Sequence, residues 1–156
     1  MAQGKPSVKI IAQNKKAYFD YFVEEKFEAG IELTGTEVKS VRQGQVNLKD
    51  SYCNIKQGEL FVLGMHISPY EKGNIFNRDP LRDRRLLMHK KEILKLFNGV
   101  KRDGYSIVPL SLYLKGPIVK MEIGMCKGKK LYDKRDAIAK KDARRESDRR
   151  EKEYSK

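Results

Sequence analysis

Only two histidines and two cysteines occur in 156 residues, and that scarcity removes much of catalytic chemistry. Cys53 and Cys126 lie far apart and match neither a metal-ligand nor a redox spacing, so they read as reduced, buried thiols. His66 and His89, helped by a lysine, could cleave RNA by general acid–base catalysis, but nothing in the spacing brings them together. There is no G-x-x-x-x-G-K-[ST] loop, no H-E-x-x-H and no cysteine ligand set. Carboxylates are plentiful but form no pattern distinct from ordinary surface charge. No enzyme, metal or cofactor is expected. Apolar runs are short as well, none approaching the ~20 residues of a membrane span. The opening MAQGKPSVKI lacks the apolar stretch of a secretory signal, so the expectation is a cytoplasmic protein without a membrane partner.

What the chain has is positive charge. Its 34 Lys/Arg against 21 Asp/Glu give a formal net charge of +13. The last thirty residues, 127–156, hold 13 of those basic and 7 of those acidic residues, leaving 21 and 14 in residues 1–126. Both parts are basic, which points to nucleic acid or another anionic surface. The tail contains no proline and one glycine, Gly128, and carries Asp136–Lys140, Glu146–Arg150 and Asp148–Lys152 in the favourable acid-first i,i+4 order. Its few apolar residues, such as Leu131, Tyr132 and Ile138, bury too little surface to offset the entropy of ordering. A segment that can be helical but cannot fold alone is a candidate for folding on an acidic partner.

Residues 1–13 read as a loose basic leader. From Phe19, apolar residues fall on alternate positions (Phe19, Tyr21, Val23, Phe27, Ala29, Ile31, Leu33), which predicts one long strand or two joined at a bend near Gly30. TEVKSVRQ, with Thr36 as N-cap and Gly44 as stop, predicts a two-turn helix. Ser51–Lys56 and Glu59–Ile67 flank Gln57-Gly58, a hairpin signature. Residues 69–80 read as a loop, 84–89 as either strand or helix start, and Lys90–Val100 as a helix. Tyr105–Leu114 alternates with Val108, Leu110, Leu112 and Leu114 inward. Gly116-Pro117 turns the chain, and Ile118–Cys126 follows with Val119, Met121, Ile123 and Met125 inward. Five or six antiparallel strands with two short helices fit a small closed barrel, and a twisted open sheet fits nearly as well. On the polar faces, Glu28 and Lys120 stand outside such a barrel, where a carboxylate can accept from base or ribose groups and a lysine can neutralise phosphate. Most aromatics fall on inward rows, and Tyr52, Tyr70, Tyr132 and Tyr154 are the candidates for exposure.

Several blocks, in order, resemble the SmpB (small protein B) family: EEKFEAGIELTGTEVKSVRQGQVNLKDSY, HISPY, NRDPLRDRRLLMHKKEI, GYSIVPLSLYLKG and KGKKLYDKR, within a match that covers essentially Asn14 to Arg135. The resemblance implies a mainly β fold: a six-stranded antiparallel barrel of oligonucleotide-binding type over 14–126, with short flanking helices. A basic tail at 127–156 would then be disordered when free and helical on the ribosome. It implies a role in trans-translation as a monomer that holds the tRNA-like domain of transfer-messenger RNA. With that RNA and elongation factor Tu, it would enter the vacant A site of a stalled ribosome and sense the empty mRNA channel through its tail. The RNA-contact glutamate, leucine and lysine of the family fall on Glu28, Leu87 and Lys120, and Asn14 is expected on the same surface. The tail motif falls on Gly128, Lys129, Lys130, Asp133, Lys134 and Arg135. Tyr132 stands where many relatives carry histidine; its ring can stack but cannot become cationic near neutral pH. A general ribosome-binding protein of the same barrel type, and a nuclease built on His66 and His89, are the alternatives.

Overall fold

The computed structural model describes residues 7–70 and 79–130. Among the described residues the chain order is β1 (Val8–Gln13), α1 (Lys15–Asp20), β2 (Tyr21–Ile31), α2 (Gly35–Arg42), β3 (Val46–Asn47), β4 (Tyr52–Lys56) and β5 (Glu59–Leu63). It continues with β6 (His66–Ile67), β7 (Arg84–Leu87), α3 (Lys90–Asp103), β8 (Ser106–Lys115) and β9 (Ile118–Gly128). The main sheet runs β1-β8-β4-β5-β7-β2-β9, and β9 pairs again with β8, so six strands close into an antiparallel ring. The closed-barrel expectation holds, and the open sheet is excluded. β3 and β6 form a separate two-stranded ribbon.

Closure depends on β8 sharing one edge between two partners. Its Ile107 pairs with Cys53 of β4, while Ser111–Lys115 pair with β1. Residues 8–13 are therefore a strand rather than part of a loose leader. Ile11 and Ala12 pack against the barrel core, and the pairing partner lies about a hundred residues away, where no local pattern reveals it. The strand expected from Phe19 begins instead at Tyr21. Ahead of it, Asn14 caps α1: its Oδ1 accepts from the Ala17 N–H at 3.2 Å, satisfying a donor that a helix start leaves orphaned.

The barrel interior is filled from alternate positions of the long strands. Phe27 and Ala29 of β2 meet Val119, Met121, Ile123 and Met125 of β9, with Leu60, Val62, Leu86 and Leu112 from the other strands. Val41 of α2 and Leu96 of α3 join the same cluster. The β8 expectation needs correction. A bulge between Pro109 and Ser111 leaves Leu110 without an opposite residue and flips the alternation, because one extra residue exchanges the two faces of a strand. Ile107, Leu112 and Leu114 face the core, while Val108 and Leu110 lie with Cys126 under Ala17 of α1 in a second apolar cluster.

Elsewhere the elements depart from the local sequence signals by small displacements. Gln57 and Gly58 both have positive φ (52° and 76°), the requirement of a type I′ hairpin turn, and they join β4 to β5. The run expected as one strand over 59–67 breaks at Gly64, whose φ is 73°, into β5 and β6. Thr34, not Thr36, caps α2 in a capping box with Glu37, and α3 continues past Gly99 to Asp103 before Gly104 ends it in the left-handed region. Residues 84–87 resolve to strand β7. Gly30 marks no bulge; the irregularity in β2 lies between Val23 and Glu25. Within the expected loop at 69–80, residues 71–78 lie outside the described residues.

A polar cluster ties β7 to α2. Glu37, nearly buried, accepts from Arg82, from Arg84 Nε at 2.6 Å and from the Thr34 N–H at 3.0 Å. Arg84 is fully buried and gives three of its terminal N–H groups to the carbonyls of Met65, Pro80 and Arg82. Burial pushes the Glu37 carboxyl up, but the Arg82 and Thr34 hydrogen bonds and Arg84 outweigh it and leave the group below its ordinary value.

Candidate nucleic-acid interface

Residues directly opposed on neighbouring strands point to the same face. Gly30 opposes Leu87 on β7 and Lys120 on β9, Lys120 opposes Tyr113 on β8, and Tyr113 opposes Ile10 on β1. Ala29 and Met121 face the core, so this row lies on the outside of the barrel. With strands about 4.8 Å apart, it runs roughly 19 Å from Leu87 to Ile10. The next row holds Glu28, Glu122, Ser111 and Gln13. Three of the four residues expected on an RNA surface (Glu28, Leu87, Lys120) are thus brought onto one face from three strands. Gly30 keeps Leu87 close: a Cβ there would stand 3.3 Å from Leu87 Cβ.

The centre of this face is polar and its margin apolar. Tyr113 donates its hydroxyl to Glu28 Oε2, and Lys115 donates to Glu28 Oε1 at 3.3 Å. The Tyr113 bond is the main reason the Glu28 carboxyl lies below its ordinary value; partial burial opposes it, and Lys115 and Lys120 add to the lowering. Burial, then the bond to Glu28, pushes the Tyr113 phenol up. At neutral pH the pair is an ionised acceptor held by a neutral donor. Around it stand Val8 (57% exposed), Ile10 (55%), Leu87 (45%) and Ile118 (55%). Such a surface offers a carboxylate to amino and hydroxyl donors, ammonium groups to phosphate, and aliphatic contacts to sugars and base faces.

Asn14 does not belong to it. The side chain is buried: Nδ2 donates to the Pro109 carbonyl at 2.9 Å while Oδ1 caps α1, and the backbone N–H donates to Leu110 O. Its polar groups are engaged inside the protein, pinning α1 to the β8 bulge. Tyr113, Lys115, Val8, Ile10 and Ile118 were not singled out from sequence. Leu112 and Leu114 facing inward imply that Tyr113 and Lys115 face outward, so that signal was present. The β1 residues had none, because β1 itself was unseen.

The root of the tail lies at the opposite end of the β2–β9 ladder. Gly128 opposes Tyr21, the Lys129 N–H donates to Asp20 O at 2.8 Å, and Lys129 Nζ donates to Tyr18 O at 3.1 Å beside the Phe22 ring. Eight residue steps of strand separate Lys120 from Gly128, about 26 Å. Lys130 is exposed, whereas Tyr132, Asp133, Lys134, Arg135 and Tyr154 lie outside the described residues. A cleft of about 630 Å³ opens between α1, α3 and β4, lined by Tyr52, Ile55, Phe97, Val100 and Tyr105. Tyr52 is exposed there as expected, and Tyr70 carries the Lys39 ammonium 5.3 Å from its ring centre. Burial pushes both thiols up, Cys126 to about 11, so neither is a thiolate near neutral pH. Among the described residues, no group of three or more His, Cys, Asp or Glu could hold a metal ion, and no helix is long and apolar enough to cross a membrane.

A small closed antiparallel barrel, basic overall and with a mixed apolar and charged outer face, defines a protein of the oligonucleotide-binding barrel class. The family model described as SmpB protein matches residues 11–153, and the chain belongs to that family. It is 64% identical over 149 residues to the SsrA-binding protein of Ruminiclostridium cellulolyticum, covering 96% of this chain and 97% of that one. It is 61% identical to the SsrA-binding protein of Acetivibrio thermocellus over the same shares of both chains. A solved structure described as "tmRNA-SmpB: a journey to the center of the bacterial ribosome" is 42% identical, with a TM-score of 0.65 over 77% of this chain and 85% of that one.

Proposed function

We propose that this chain is an RNA-binding adaptor of trans-translation. It binds the tRNA-like domain of transfer-messenger RNA and accompanies it, with elongation factor Tu, into the A site of a stalled ribosome. The observation that carries the reading is the convergence of Glu28, Leu87 and Lys120 on one outer face in a chain of this family. RNA is gripped there by shape: Lys120 and Lys115 neutralise phosphate, Glu28 accepts from ribose or base donors, and Leu87 with its apolar neighbours packs on sugar or base. The tail, Gly128 to Arg135 and beyond, reads the empty mRNA channel. Its ordering is offset only where ribosomal phosphates neutralise its lysines and arginines. The root of that tail stands about 26 Å along the ladder from Lys120, which lets one body hold the RNA at one end and reach the channel from the other. The protein acts without a catalytic group, in the cytoplasm, as a monomer.

The test is a gel-shift titration with transfer-messenger RNA at fixed physiological salt against excess ribosomal RNA fragment. Salt must be fixed because phosphate contacts alone make a basic protein bind any RNA when salt is low. Tight binding that survives the competitor is expected. Binding that the competitor erases refutes the assignment in favour of a general ribosome-binding barrel.

A further inference from the structure

Glu28 is about two-fifths exposed and could be expected to sample several rotamers in water. It does not stand alone. Tyr113 is 8% exposed, and its hydroxyl reaches one Glu28 oxygen across the β9 strand that separates them, while Lys115 holds the other oxygen. We propose that Tyr113 is the positioning residue of the RNA interface, fixing Glu28 as an aimed acceptor for ribose-hydroxyl or base-amino donors. This rests on the reading of Glu28 as an RNA contact.

The chemistry follows from counting lone pairs. An ionised carboxylate offers about four acceptor sites, of which Tyr113 and Lys115 occupy one on each oxygen, leaving one on each for a ligand. A pinned side chain has less rotamer freedom left to lose when the ligand binds, which is how preorganisation raises affinity. Tyr113 itself contributes no exposed apolar surface comparable to Leu87 or Ile10, so its effect passes through Glu28. The other charged and titratable groups around Glu28 are Lys115 on β8, Lys120 and Glu122 on β9, Lys26 on β2, and Lys15 and Tyr18 from α1 along the same groove.

The experiment compares the wild type, Tyr113→Phe, Glu28→Ala and the double variant, using a transfer-messenger RNA transcript at fixed salt. Melting curves confirm that each is folded at the assay temperature. Tyr113→Phe is expected to weaken binding about three- to tenfold, the factor that re-ordering one freed side chain implies. In the Glu28→Ala background, where the acceptor is gone, the same change should do nothing further. Acidification supplies a readout that a merely structural role would not move. Losing the donor raises the Glu28 carboxyl toward its ordinary value, so Tyr113→Phe should begin to lose affinity at a higher pH than the wild type, and neither Ala variant should show that shift. Wild-type affinity in Tyr113→Phe, with Glu28→Ala impaired, overturns the positioning role and leaves the interface intact. Equal damage from Tyr113→Phe in both backgrounds also overturns it, because Tyr113 would then act independently of Glu28. Wild-type affinity in Glu28→Ala removes Glu28 from the interface and with it the reading on which the proposal rests.

Discussion

Replacing Glu37 with alanine removes the carboxylate to which both Arg82 and Arg84 donate, at the junction of α2 and β7. Arg84 is fully buried and would keep its three carbonyl partners while losing its counter-charge, and the Thr34 N–H would lose the acceptor that completes the capping box. Breaking a buried pair from one side costs about 3–5 kcal/mol, because the remaining charge stays desolvated. Against a total stability of about 5–15 kcal/mol for a domain, this is a large fraction. Urea unfolding followed by circular dichroism should show the loss as a lower midpoint at unchanged slope. The wild type should also carry an acid signature. The Glu37 carboxyl is lower in the folded state than its ordinary value near 4.5, so its contribution is present above that value. It is lost as pH falls through the depressed folded value. Glu37→Ala should therefore lose less stability than the wild type on acidification below about pH 4.5. A loss under about 1 kcal/mol at neutral pH would refute the reasoning, since it would mean that water or another group compensates Arg84. Because β7 carries Leu87 to the outer face, Glu37→Ala should also weaken RNA capture near its melting temperature and spare it well below.

Asn14→Ala should cost about 1–2 kcal/mol of stability through the lost cap and the lost bond to Pro109, with RNA affinity unchanged once the protein is folded. A selective affinity loss would return Asn14 to the RNA surface. Lys120→Glu should weaken capture of transfer-messenger RNA and flatten the dependence of affinity on salt by about the share of one phosphate contact, as read from titrations at three salt concentrations. Truncation after Arg135 should leave RNA binding intact and abolish peptide tagging in a reconstituted translation assay. Equal loss of both activities would sink the division between body and tail.

The long strands β2 and β9 were legible because each has one buried face, and period-two alternation survives wherever pairing is regular. The Gln57-Gly58 turn was legible because only a few residue types tolerate two positive φ values in succession. Where the alternation slips, at the Leu110 bulge, local pattern put Val108 and Leu110 on the wrong face, since nothing within β8 announces the extra residue. β1 escaped because a short edge strand owes its structure to its partner β8, and Lys9 and the exposed Val8 and Ile10 gave no one-sided pattern. The resemblance pointed to Glu28, Leu87 and Lys120, which share one outer face, whereas Asn14 is buried; a cap and a surface contact look alike in a linear sequence.

The sequence by itself determined the strand periodicities, the basic charge of body and tail, the turn at Gln57-Gly58, and the absence of catalytic and membrane-spanning patterns. These are local properties, set by side-chain chemistry and by backbone preferences a few residues long. Only the tertiary structure decided that β8 divides its edge between β4 and β1, that Arg84 is buried against Glu37, and that Tyr113 reaches Glu28 from 85 residues away. Each of these depends on strand register around a closed ring. Register is a property of the whole ring, set when every buried face must fit at once.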